Sequence, residues 1–232
     1  MKGEKSKMKV EKMKKIKLVL LLFVWTGSLI AQDQKPAFWN DIQNFKKQDA
    51  DAFPLKNAIL FIGSSSFTRW TDVQQYFPSH TIVNRGFGGS TLVDVTRYAD
   101  DIIFPYQPKQ IVIYCGENDI ASSDTVTVKI AFNRFKNLFQ LVRSRLPDIP
   151  VLFVSLKPSP SRWQMKDRMT KANDMIKKFL KKSKNTVFVD VWKPMLGPDK
   201  KPMPDLFVED NLHMTAKGYV IWQKLIEPYL LN

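Results

Sequence analysis

Near the carboxyl terminus of this 232-residue sequence stands Asp210-Asn211-Leu212-His213. In a helix-like turn, a separation of three residues puts both side chains on one side. The carboxylate can then hold one imidazole nitrogen and leave the other free as a base. A purely structural histidine is the competing reading, but the chain has only two histidines, and the other, His80, has no acid at a useful spacing and reads as structural. A base of this kind serves a hydroxyl nucleophile, because serine is too weak an acid to ionise unaided at neutral pH. Gly63-Ser64-Ser65-Ser66 offers serines at what reads as a tight strand-to-helix turn, where a hydroxyl is lifted clear of a sheet; a helix cap is the alternative. In Asn84-Arg85-Gly86-Phe87-Gly88-Gly89, three glycines in four positions let backbone amides approach a ligand, as an oxyanion or a phosphate requires. A flexible loop and a dinucleotide loop are the alternatives, although the spacing is not that of G-x-G-x-x-G. In Cys115-Gly116-Glu117-Asn118-Asp119 the Asn118 amide could donate to an oxyanion or cap a turn.

Such residues act together only if the fold collects them. Short apolar runs at 58–62, 81–83, 110–114, 151–155 and 186–191 read as buried strands. Between the third and fourth, Phe135, Leu138, Phe139, Val142 and Leu146 share one helical face; between the fourth and fifth, Met169, Ala172, Ile176, Phe179 and Leu180 do the same. A last helix carries Tyr219, Trp222, Ile226, Tyr229 and Leu230, with Pro228 limiting its regularity. Strands alternating with helices imply right-handed crossovers and a parallel five-stranded sheet covered on both faces, an α/β fold in three α/β/α layers. Ligands of such sheets sit at the carboxyl ends of the strands. The serine, glycine and asparagine stretches each follow a predicted strand, and the Asp-His pair precedes the last helix. Arg69 and Trp70, after the serines, and Arg162 and Trp163, in the proline-rich loop after the fourth strand, are candidates to line a substrate pocket. Cys115 reads as a small core residue, and the lysines at 177, 178, 181, 182 and 184 as a solvated face.

In these four blocks, and in their order, the sequence resembles the SGNH hydrolases, the GDSL esterase and lipase family. The resemblance runs from Ala58 to the last helix. It implies Ser65 as nucleophile, Gly89 as an oxyanion amide from the pattern N-x-x-x-x-G, and Asn118 as the side-chain donor from G-x-N-D. Asp210 and His213, as D-x-x-H, become the orienting acid and general base, and the implied fold is flavodoxin-like. Ser64 stands where the family has aspartate and Ser66 where it has leucine, so a carboxylate beside the nucleophile is missing.

The formal charge of +14 raises the question of nucleic acid or an anionic membrane. Its distribution answers that question. Residues 1–17 hold eight lysines against two glutamates, and an uncharged, mostly apolar run of 13 follows at 18–30. This reads as a signal peptide ending at Ala31, short for a spanning helix, with a retained membrane anchor as the alternative. Without it the net charge falls to +8, that is, 28 basic against 20 acidic residues. With no internal repeat, low-complexity stretch or linker, residues 32–232 read as a single domain. The expectation is an exported, periplasmic or extracellular serine esterase needing no metal or cofactor. It would bind no nucleic acid and keep no stable membrane span once the signal segment is cleaved; oligomeric state is not written in the sequence. An O-acetyl group on a carbohydrate is the favoured substrate, with lysophospholipids, other short acyl esters and thioesters as alternatives. A catalytically silent carbohydrate-binding module of the same fold is the rival from another class.

Overall fold

In a computed structural model that describes residues 35–232, the three central strands of the sheet are almost wholly apolar on both faces, and the alternation of side chains sends successive residues to opposite cores. Along the described residues come α1 (Trp39–Asp51), then β1 (Ile59–Gly63), the short α2 (Ser65–Thr68), β2 (Ile82–Gly86) and α3 (Leu92–Arg97). The chain continues through β3 (Gln110–Tyr114), α4 (Glu117–Ala121), α5 (Val128–Arg145), β4 (Val151–Val154), α6 (Lys166–Leu180), β5 (Thr186–Val189) and α7 (Ala216–Ile226). All pairings are parallel, in the order β2-β1-β3-β4-β5. The expected α/β/α sandwich with five parallel strands is therefore the observed architecture, and its strand order is the flavodoxin-like one.

Leu60, Ile62, Ile111, Ile113, Val151 and Phe153 face one layer, where α5 and α6 lay down the stripe of Phe135, Leu138, Val142, Met169, Ala172 and Ile176. Ile59, Phe61, Val112, Tyr114, Leu152 and Val154 face the other, against Phe67, Trp70, Tyr219, Trp222 and Ile226. The last helix stops at Ile226, and Pro228 sits in a 3-10 turn, Glu227–Tyr229, that leaves Tyr229 exposed while Leu230 is buried. Phe38–Asn232 forms one compact unit. The signal segment expected over 1–31 lies outside the described residues. Among the described residues no helix is long and apolar enough to cross a membrane.

Two elements differ from the sequence reading. The second strand, expected to end at Val83, runs on to Gly86. Its polar residues belong in the sheet because Arg85, nearly buried, is neutralised by Asp49, donates to the Tyr106 hydroxyl and lies over the rings of Phe45 and Tyr106. Helix α1 gave no sequence signal, since Ile42 is its one buried residue.

Candidate active site

The strand order reverses between β1 and β3, which opens a crevice at their carboxyl ends. At the end of β1, Gly63 has φ 139°, and a Cβ there would fall 1.9 Å from the Tyr114 carbonyl oxygen, so only glycine lets the chain leave the sheet this tightly. The turn delivers Ser65 to the first position of α2, half-buried at the crevice. Its Oγ lies 2.9 Å from His213 Nε2, and His213 Nδ1 lies 2.5 Å from Asp210 Oδ2. An ionised carboxylate only accepts, so Nδ1 carries the proton and Nε2 accepts from the serine hydroxyl.

The Asp210–His213 segment is a turn rather than the helix-like stretch its spacing suggested. Asn211 adopts a left-handed φ of 56°, and Asp210 Oδ1 accepts from the amides of Leu212 and His213, both at 2.9 Å. Burial pushes the Asp210 carboxyl up, but the bonds from the His213 ring and from the two amides outweigh it and hold the group well below the usual carboxylate range. Asp210 thus stays charged next to the imidazole. The turn is pinned to the loop after β4 by Ser161 N donating to Asn211 O at 3.0 Å.

Across the crevice, Gly89 (φ 83°) follows β2 and Asn118 lies in α4, just past β3. Among the described residues, neither the Ser65 nor the Gly89 amide has a hydrogen-bond acceptor. Asn118 Nδ2 gives one hydrogen to Ser90 O at 3.0 Å, and its Oδ1 accepts from Arg162 Nη2 at 2.9 Å, which leaves the second amide hydrogen uncommitted. These groups surround a cavity of about 300 Å3, lined by Ser65, Thr68, Arg69, Gly88, Gly89, Asn118, Arg162, Leu212 and His213. Ser65, Gly89, Asn118, Asp210 and His213 are thus brought together, and Arg69 and Arg162 lie in the same wall.

Trp70 and Trp163 do not join them. Trp70 is fully buried in the aromatic cluster beneath α2, stacked on Tyr219 with centroids 4.7 Å apart, because the turn after Ser65 points it into the core. Trp163 lines a neighbouring groove with Pro160, Pro198, Met203 and Asn211, and stacks on Trp192 at 6.1 Å. Cys115 is buried, as read from the sequence. Ser64, in place of the family aspartate, is buried and offers its carbonyl to the amides of Phe67 and Thr68.

Sequence reasoning missed the charges behind Asn118. Glu117 is buried and binds Lys157 Nζ at 2.9 Å and the Tyr114 hydroxyl, while Arg162 Nη1 lies 3.2 Å from its other oxygen. Burial pushes the Glu117 carboxyl up, yet Lys157 and Arg162 outweigh that and leave it below its ordinary value. Burial pulls the Lys157 amine down, against the pull of Glu117. The available signal was a lone glutamate just past β3 and a lone lysine just past β4, which are adjacent in the sheet once its order is known. Asp119 ties the same loop to its neighbours, accepting from Leu92 N at 2.9 Å and pairing with Arg134. Among the described residues, no group of three or more His, Cys, Asp or Glu is placed to hold a metal ion.

The sequence-level comparison agrees with this geometry: residues 61–221 match the model of the GDSL-like Lipase/Acylhydrolase family. The chain belongs to that family. It is accordingly a hydrolase acting on ester bonds. Similar solved structures include a GDSL-like lipase from Bacteroides thetaiotaomicron, 25% identical, with a TM-score of 0.65 over 81% of this chain and 95% of that one. A Streptococcus pneumonia protein provisionally assigned as a platelet activating factor is 23% identical, with a TM-score of 0.72 over 93% of this chain and 99% of that one. An acetyl xylan esterase variant from Geobacillus stearothermophilus is 15% identical, with a TM-score of 0.60 over 77% and 99% of the two chains. These last two show the shared fold. No curated protein matches the sequence.

Proposed function

We propose that the chain is an exported serine esterase that cleaves short acyl groups, foremost O-acetyl groups on carbohydrate, through an acyl-enzyme. The observation that carries this reading is the unbroken chain from Ser65 Oγ through His213 to Asp210, opening on a cavity that Asn118 also lines. In the first half-reaction Ser65 Oγ attacks the ester carbon while His213 Nε2 takes its proton. The carbon–oxygen bond to the alcohol then breaks, and His213 returns the proton to the departing oxygen. In the second, water attacks the acyl-Ser65, His213 takes the water proton and passes it to Ser65 Oγ, and the carboxylic acid leaves. Asp210 keeps the imidazole in the tautomer that can accept and stabilises it once protonated. The amides of Ser65 and Gly89 and the free hydrogen of Asn118 meet the tetrahedral oxyanion, each donor contributing about 2.7–4 kcal/mol to transition-state stabilisation.

A cavity of about 300 Å3 shared by the acyl group and the reacting atoms suits a short acyl chain. The acetyl xylan esterase of like fold acts on an acetylated glycan, which accords with the choice of alcohol. Export rests on the basic and apolar character of residues 1–31. A series of aryl esters of rising acyl length, followed by acetylated xylan and other acetylated glycans, tests the substrate. The reading expects kcat/KM to fall as the acyl chain lengthens and acetate to be released from a glycan. Preference for long acyl chains would replace it with a lipase or lysophospholipase.

A further inference from the structure

Asn118 can serve an oxyanion only if its nitrogen, and not its oxygen, faces the carbonyl oxygen that becomes charged. Rotation of the terminal amide by half a turn exchanges the two at little intrinsic cost, so something in the protein must set the sense. Two contacts do so from opposite ends. Ser90 O accepts from Nδ2 at 3.0 Å, and Arg162 Nη2 donates to Oδ1 at 2.9 Å. After a flip, Oδ1 would face the Ser90 carbonyl oxygen and Nδ2 the guanidinium, which is acceptor against acceptor and donor against donor. Arg162 is itself held from behind. Its Nη1 lies 3.2 Å from Glu117 Oε1, an oxygen with no hydrogen-bond donor of its own, and the other Glu117 oxygen is shared by Lys157 and Tyr114. Tyr114, Glu117 and Lys157 are all buried, so this support has no water to relax into.

We propose that Arg162 is the positioning residue of the oxyanion site: it locks the Asn118 amide with its nitrogen toward the cavity, and the Glu117–Lys157 pair locks Arg162. One carboxylate and two cations leave the cluster with a net charge of +1 behind the place where negative charge develops, and this favours the transition state over the neutral ester. Arg162 therefore acts through Asn118 rather than by gripping substrate, although it lines the cavity wall. This role rests on the proposed function of Asn118, and the two can fail separately.

The test is a cycle of Arg162→Gln, Asn118→Ala and the double variant, assayed with an aryl acetate by the full protein, with thermal unfolding to confirm folding. Arg162→Gln should lower kcat about tenfold or more while KM stays within about twofold, because a donor made for the transition state is lost and ground-state binding is not. In the Asn118→Ala background the same change should cost less than about threefold, since its target is gone. Arg162→Lys keeps the charge and one donor, should restore part of kcat, and stands in if Arg162→Gln does not fold. A rise in KM at unchanged kcat, or an undiminished cost of Arg162→Gln in the Asn118→Ala background, overturns the proposal in favour of substrate binding. An active protein whose Asn118→Ala variant turns over like wild type would instead remove the oxyanion role on which it stands.

Discussion

Two arms of one site are anchored in different ways. Asp210 and His213 sit within four residues of each other on a turn at the surface, where the Asp210 side chain is 40% exposed. Local bonds from Asp210 Oδ1 to the two following amides do most of the holding. Asn118 is held instead by Arg162, 44 residues further along the chain, which is backed by Glu117 and Lys157, whose side chains are 3% and 2% exposed. A local turn can lose its chemistry without loosening the core. A buried ion pair cannot lose one member so cheaply, because the partner charge stays behind in a low-dielectric interior.

This contrast can be broken from either side. The largest effect belongs to the exposed arm: His213→Ala should lower kcat about ten-thousandfold or more, with urea unfolding close to wild type. A comparable loss of stability would show that the turn is part of the core after all. Next comes the buried arm, where Lys157→Met removes the buried cation paired with Glu117 and should cost about 3–5 kcal/mol of stability by urea unfolding. Pairing it with Glu117→Gln should recover much of that. A cost below about 1 kcal/mol for Lys157→Met alone would rank the pair with surface salt bridges and erase the distinction.

The smallest effect is one of pH. The Asp210 carboxyl has a folded-state pKa below its unfolded value of about 3.9. Its contribution is therefore fully present above that value and is lost as pH falls through the lower, folded one. The stability advantage of wild type over Asp210→Asn should thus shrink only below about pH 4, and water screening keeps it small at a site this exposed. An advantage that began to fade near neutrality would contradict the charged, well-bonded carboxylate described above.

The same division explains what the sequence disclosed. The Asp210–His213 pair and the serine turn were legible because each is written in consecutive residues. The parallel sheet was legible in its apolar runs and in the helical stripes of α5 and α6. The last two residues of β2 before Gly86 were not, since a strand containing Asn84 and Arg85 looks like a loop until Asp49 and Tyr106 are known to meet the guanidinium. Trp70 was expected at the pocket because it follows Ser65 by five positions, yet the short α2 turns it inward onto Tyr219. The Glu117–Lys157–Arg162 cluster escaped notice for the same reason as Arg85. Glu117 follows β3 while Lys157 and Arg162 follow β4, and only the strand order makes those two junctions neighbours.

The central claim is that Ser65, activated by His213, is the atom that carries the acyl group. Labelling the protein with a fluorophosphonate and locating the adduct by peptide mass spectrometry tests it most directly. The account predicts one adduct, on Ser65, that is absent from Ser65→Ala together with ester hydrolysis. An adduct on Ser64 or Ser66, or hydrolysis that persists in Ser65→Ala, would contradict it.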